Sequence, residues 1–484
     1  MEDVDVLILG AGFGGLCMGV HLQRGGLGSF AILERAGEVG GAWRDNRYPG
    51  CACDVPAALY SYSFEPNPDW SRRFAERSEI FAYLQRCADE HGLRSRIRFG
   101  EEVTRARYER GRGGWLVQTA SGQSYRARVL VAALGAFGSP TYPAIVGRER
   151  FEGKQFHSAA WDSEYDLAGK RVAVIGTGAS GVQLVPELAR RVARLDVYQR
   201  TPPWVVPRAE RTTRALERAL YRASPLAQRL VRWFTYWRLE AAALGFTRYP
   251  GLLRIAELQA RRHLRRQVAS DELRAQLTPR HALGCKRVLL SNDYYPALQR
   301  PNVELITAPI REIRARSLVD ALGREREVDA IIHATGFDVQ RFVPRGLFIG
   351  AEAQDLAEAW RDGPEAYKGT TVAGFPNLFF LVGPNTGLGH SSMVFMIESQ
   401  VAYVVDALRQ MRAQAWARVE VAPAAQSAYN RALRARSRRT VWVSGCASWY
   451  LSATGCNTTL WPDFSFQFRR ATRRFDAAAY RVAR

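Results

Sequence analysis

Lysine is nearly missing from this 484-residue chain. Only Lys154, Lys170, Lys286 and Lys368 occur, so arginine supplies 64 of the 68 basic residues. Such an arginine and alanine bias matches a GC-rich coding sequence. The arginines are spread along the chain and no recognised nucleic-acid motif accompanies them, so the net charge of +21 does not imply a nucleic-acid partner. It does favour anionic ligands in general. Long hydrophobic runs are absent too: none approaches the ~18 residues of a transmembrane helix. Cysteine is sparse, with seven scattered residues. Cys51 and Cys53 stand as C-A-C, without the C-x-x-C spacing of a zinc site, so no metal is expected. The reading that follows is reduced thiols in a cytoplasmic protein. The first residues, MEDVDVLILGAG, are acidic and enter a strand at once, unlike a signal peptide. No low-complexity linker is visible. The chain is too long for one hydrophobic core, and two or three domains are expected.

What is present is a motif that occurs twice. Val4 to Leu9 reads as a buried apolar strand, followed by a turn with Gly10, Gly12 and Gly15 in the G-x-G-x-x-G pattern, then a helix. The first glycine permits the tight turn, the second lets a pyrophosphate approach the backbone, and the third lets helix pack on strand. A second strand, FAILE, ends at Glu34, 24 residues after Gly10. A carboxylate there can accept hydrogen bonds from a ribose diol. The unit recurs as strand Arg171 to Ile175 followed by Gly176, Gly178, Ser180 and Gly181, and the offset of 24 now carries Arg200. A guanidinium binds a 2′-phosphate that a carboxylate would repel, and Thr201 adds a hydroxyl. A bare strand-end charge is the alternative reading of Arg200, and the matched offset favours the phosphate. The first site therefore reads as FAD or NAD, the second as NADPH.

The expected fold class is α/β, with two Rossmann-like dinucleotide-binding domains and a helical insertion. The FAD domain is discontinuous, at 1–145 and 325–484, and the NADP domain occupies 146–324. Segments 127–140 and 327–338 read as strands ending in glycine-containing turns where the chain crosses between domains. Residues 208–280, rich in Arg, Leu and Ala with clustered aromatics such as RWFTYWRLE, read as helices inserted in the NADP domain. They are expected to be a lid or packed subdomain in preference to a membrane-surface element. FPNLFFLVGPNTGLGHSS (375–392) reads as a strand, a turn and a helix beginning near Ser391, whose N-terminus favours negative charge. His390 in that turn reads as structural as readily as a base. Oligomeric state is not legible.

Between the two units lies FEGKQFHSAAWD (151–162), too polar for a core strand. Phe151, Gly153, His157, Trp161 and Asp162 match F-x-G-x-x-x-H-x-x-x-W-[PD]. This resembles the fingerprint of type I Baeyer–Villiger monooxygenases, flavoproteins of class B. A companion pattern of that family, [AG]-G-x-W-x-x-x-x-[FY]-P-[GM]-x-x-x-D, matches GGAWRDNRYPGCACD (40–54), which contains Trp43 and Asp54. With both nucleotide motifs, the resemblance covers most of the chain.

The resemblance implies that NADPH reduces FAD, that O2 adds at flavin C4a, and that the resulting peroxide attacks a ketone to give an ester or lactone. Such chemistry needs a fixed cation in a dry site. GCKRVLLSNDYY (284–295) is similar to the family segment that supplies it, which makes Arg287 the catalytic cation, Lys286 a holder of the 2′-phosphate, and Asp54 the partner of Arg287. His157 is read as a hinge residue coupling the domains, not a proton donor. SWY (448–450) resembles a segment whose tryptophan, here Trp449, contacts the nucleotide. SATGCNTTLWP after it departs from the GANIPGK-like run of familiar members. The alternative within flavoenzymes is an N- or S-oxygenating monooxygenase, against which Trp161 and the Asp54–Arg287 pair argue.

Overall fold

The computed structural model describes residues 1–484. Its first sheet is built around Glu2–Leu9, which lies parallel between Phe30–Glu34 and Ser124–Ala132. Leu9 faces both Leu33 and Ala132 in register. Val6 to Leu9 are buried on both faces, as an unbroken apolar run in a parallel sheet requires. The Phe13–Gly25 helix follows and packs against the Met393–Ala413 helix. Ser392 caps the latter by accepting from Val394 N–H at 3.2 Å. Leu378–Phe380 adds in parallel to Ser124–Ala132, so the C-terminal chain completes the sheet begun by the first residues.

The second sheet has five strands, all parallel, ordered Val303–Ile306, Arg194–Tyr198, Arg171–Ile175, Ala330–His333, Lys154–His157. Two expectations change here. The stretch read as too polar for a core strand is the edge strand of this sheet. Phe156 and His157 are buried inward, while Lys154 lies out in water, paired with Asp162 at 2.6 Å. An edge strand tolerates that mixture because one flank is free. Ala330–His333, placed beyond the boundary at 325, belongs to the second sheet, where it pairs with Arg171–Ile175 and Lys154–His157. The chain turns back to the first sheet only after His333. A short antiparallel meander, Ile310–Ile313, Ser317–Asp320 and Glu325–Glu327, precedes that strand.

Four α-helices occupy the insertion: Ala215–Ala223, Pro225–Thr247, Leu253–Gln267 and Asp271–Leu277. The longest starts where Ser224 accepts from Ala227 N–H at 3.3 Å and Pro225 sits at the first position, where its missing N–H costs nothing. No helix is long and apolar enough to cross a membrane.

Candidate active site

The first glycine loop is bare backbone by necessity. Gly10 has φ +102°, and a Cβ on it would stand 2.7 Å from the Ala133 carbonyl oxygen. A Cβ on Gly15 would collide with the Gly10 carbonyl. Gly12 faces Gly41, whose Cβ would come within 3.2 Å of the Gly12 Cα. The two sequence patterns thus meet at the head of one helix, where pyrophosphate binds well. Glu34 is buried, 4% exposed. It accepts from Ala11 N–H at 2.8 Å, Ala36 N–H at 3.0 Å and Arg44 at 2.8 Å. A carboxylate has roughly four acceptor positions, so capacity remains for a ribose hydroxyl. These residues fit FAD.

The second loop repeats the geometry. Gly176 has φ +109° and abuts Ala334, and Gly181 abuts the Gly176 carbonyl. Gly178 differs, because the space its Cβ would fill is open. Arg200 is exposed just past the Arg194–Tyr198 strand, and the Thr201 carbonyl accepts from Thr177 Oγ1 at 3.5 Å. Burial, and then the Arg200 charge, pull the Lys286 ammonium below its ordinary pKa. His281 is lowered by burial and then by Lys286. Like charges with no carboxylate between them are costly unless an anion joins them. A 2′-phosphate is such an anion, so this site fits NADPH.

Beside Lys286, Arg287 reaches across 233 residues of sequence to Asp54 in a forked ion pair. Nε donates to Oδ2 at 2.8 Å, and Nη2 donates to Oδ1 at 2.7 Å and Oδ2 at 2.6 Å. The Asp54 charge holds the guanidinium above its usual pKa, against the effect of burial. Tyr450 lies in the same field. Burial pushes its phenol up to about 12 while Arg287 opposes, so it stays protonated and can donate. Gly284, at φ +92°, lets the loop turn where a Cβ would meet the Phe246 ring at 2.7 Å. Phe246 and Leu253 of the insertion pack with Val441, Trp442, Tyr450 and Leu460 into one apolar cluster beside the loop.

The expectation of wholly reduced cysteines does not hold. Cys285 and Cys446 form a disulfide, with Cα atoms 6.3 Å apart. Composition could not show this, because the partners are 161 residues apart in sequence. Cys17, Cys51, Cys53, Cys87 and Cys456 are free. No group of acidic, His and Cys side chains is placed to hold a metal ion.

His157 sits where the chain crosses between sheets. It is fully buried, Nδ1 accepts from Ala159 N–H at 3.0 Å, and Nε2 has no partner. It stands in register with His333, and Tyr142 meets both rings at 5.5 and 5.1 Å. Phe337 covers His157 at 5.7 Å. Trp161 meets Phe156 edge-on at 5.0 Å and packs on the second core. Trp449, 38% exposed, contacts Phe137 at 6.4 Å, and its carbonyl accepts from Gln340 at 2.9 Å. Trp43 donates through Nε1 to Tyr60 at 3.2 Å. His390 is buried against Glu240 at 3.4 Å, which is a structural arrangement.

Residues 7–217 match the family model for pyridine nucleotide-disulphide oxidoreductases. A Baeyer–Villiger monooxygenase of Pseudomonas aeruginosa is 49% identical over 479 residues, covering 99% of this chain and 91% of the relative. The chain belongs to the Baeyer–Villiger monooxygenases. The crystal structure of OTEMO in complex with FAD and NADP superposes with TM-score 0.89 at 26% identity, covering 99% of each chain. An ε-caprolactone-bound cyclohexanone monooxygenase superposes with TM-score 0.87 at 26% identity, covering both chains fully.

Several residues of this monooxygenase's site escaped the sequence reading. Tyr48 donates to Gln183 at 2.9 Å, and Gln183 donates to the Ala52 carbonyl at 2.9 Å, so the segment that carries Asp54 is latched to the second glycine-loop helix. Arg44 and Tyr48 lie inside the second pattern, and Tyr450 closes the quoted SWY. Their presence was legible, but their partners were not.

Proposed function

We propose that this chain is an NADPH- and O2-dependent FAD monooxygenase that converts a ketone to an ester or lactone. Ketone, O2, NADPH and a proton yield ester, water and NADP+. FAD, when bound, supplies the redox chemistry that passes electrons from NADPH to O2. The protein's part is positional and electrostatic. Gly10, Gly12, Gly15 and Glu34 hold FAD, with Trp43 and Asp54 on the neighbouring segment. Gly176, Gly178, Ser180, Gly181, Arg200, Thr201, Lys286 and Trp449 hold NADPH. Arg287 presents a fixed cation where negative charge develops on oxygen, and Asp54 orients it. His157 acts at the domain crossing.

The observation that carries this reading is one short loop, Gly284–Arg287. On one side Lys286 lies within the field of the Arg200 charge, and on the other Arg287 is paired with Asp54. Nicotinamide dinucleotide and oxygen chemistry are thereby tied to adjacent residues. The need for NADPH supports a cytoplasmic location. NADPH consumption across a ketone panel, with products identified by mass, tests the proposal. Esters should appear in step with NADPH. Oxidation of thioethers and amines alone, with no ester from any ketone, would refute it.

A further inference from the structure

The outer face of the Pro225–Thr247 helix is apolar and uncovered. Leu226, Leu230, Trp233, Phe234 and Trp237 are between 43% and 66% exposed, and their spacing places them on a single helical stripe. Arg229 and Arg238 flank the stripe on its two sides, both exposed. The opposite face is firmly mounted. Tyr236 stacks on Phe395 at 4.9 Å, and Arg232 donates to the carbonyls of Ala58 and Ser61 at 3.1 and 2.9 Å. Twelve of the chain's 20 exposed large hydrophobic residues fall between 216 and 258, so this is a patch and not scattered surface.

Charge decides what covers it. Residues 214–266 contain twelve arginines and three glutamates. The glutamates are committed: Glu217 to Arg211, Glu257 to Arg261, and Glu240 inside the protein. A second copy docked on this face would set arginines against arginines. We infer that the helix lies on an anionic lipid bilayer, with its Trp, Phe and Leu side chains at the headgroup boundary and its arginines on the headgroups. Co-sedimentation of the holoenzyme with phosphatidylcholine vesicles, with and without phosphatidylglycerol, tests this. Binding should require phosphatidylglycerol, weaken with salt and shift tryptophan emission to the blue. Trp233→Ser with Phe234→Ser should weaken it roughly tenfold or more while leaving turnover of a water-soluble ketone unchanged. Arg229→Gln with Arg238→Gln should lower the response to phosphatidylglycerol even if the first variant fails to fold. Wild-type enzyme left in the supernatant with anionic vesicles would overturn the inference. So would a dimer in sedimentation that Trp233→Ser and Phe234→Ser dissolve.

The disulfide carries a second, independent inference, which rests on the role proposed for Arg287. Cys285 directly precedes Lys286 and Arg287, and Cys446 lies four residues before Tyr450. Cys285 is buried and Cys446 is partly exposed. We propose that this cross-link positions the Arg287 loop against the segment bearing Trp449 and Tyr450, and that its reduction uncouples the enzyme. A dithiol reductant attacks the Cys446 sulfur, and Cys285 leaves as a thiolate. The reductant's second thiol then completes its own disulfide, leaving two protein thiols. Hydrogen peroxide reverses the change, since two thiols and one peroxide give the disulfide and two waters. Thiol counting by alkylation and mass, alongside ester formed per NADPH, tests the link. Reduction should expose two further thiols and lower ester yield severalfold. Cys446→Ser should reproduce the low yield and no longer respond to reductant. Two extra thiols with unchanged yield, or no disulfide in enzyme purified without reductant, would overturn the proposal. Arg287→Ala measured in parallel separates this outcome from failure of the arginine's own assignment.

Discussion

Arg287 and Arg200 carry the same charge but are held differently. Arg287 is forked onto Asp54 at 2.6–2.8 Å, so its cation is fixed before substrate arrives. Arg200 has no acid partner and shares its surroundings with Lys286, so it awaits an anion. Arg287→Ala should still let NADPH reduce the flavin, yet lose ester formation by about 10²–10³ and release peroxide instead. Ester and peroxide per NADPH measure this, and near-normal ester would move the cation elsewhere. Asp54→Ala should show a milder version, since it aims the cation without touching oxygen. Arg200→Ala should raise the KM for NADPH by about tenfold to a hundredfold, the worth of one charge-assisted bond, and leave that for NADH almost unchanged. Equal use of both nucleotides by the wild type would remove the phosphate site.

Elements, more than single groups, govern the crossing between sheets. Lys154–His157 and Ala330–His333 run side by side and end on two buried histidines. Burial, then Arg148, then His157 pull His333 down to about 4. Burial lowers His157 too. A histidine held neutral binds fewer protons folded than unfolded, so stability rises with pH between the two pKa values. His333 therefore contributes fully above about 6.5, and that contribution falls away from there toward about 4, by at most about 3 kcal/mol. Thermal melts across this range should decline, and His333→Gln should flatten the slope. An unchanged slope would mean that other groups set it. His157→Ala should retain FAD, whose proposed site lies at the other sheet, but oxygenate poorly because the domains no longer register. Wild-type oxygenation in that variant would make the residue a bystander.

At the scale of the molecule, two nucleotide folds are joined by a latch. Gly50 has φ +78°, and a Cβ there would stand 2.6 Å from the Gln183 carbonyl oxygen, backbone against backbone. Beside it, Tyr48 and Ala52 bond the Gln183 side chain. Gly50→Ala should strain the turn and push the Ala179–Leu188 helix away, at a cost of roughly 1–3 kcal/mol. FAD content should remain normal while the KM for NADPH rises and ester per NADPH falls. Unaltered coupling in a folded Gly50→Ala enzyme would show that the latch does not set domain geometry.

The sequence by itself determined both nucleotide units, because strand, glycine turn, helix and end-of-strand charge are local and recur at a set offset. It also determined the helical insertion and a helix beginning near Ser391, and through the family resemblance it pointed to Asp54 and Arg287, which lie in short linear patterns. Apart from the Asp54–Arg287 pair, which the family resemblance implied, only the tertiary structure decided what meets across long separations. It made Lys154–His157 an edge strand, since polarity alone does not show how many neighbours a strand has. It moved the return crossing beyond His333, because that strand finds its partners in the second sheet. It joined Cys285 to Cys446 and Tyr48 to Gln183, and it left the Leu226–Trp237 stripe in the open. Each of these depends on which surfaces face each other after folding, and spacing along one chain does not record that.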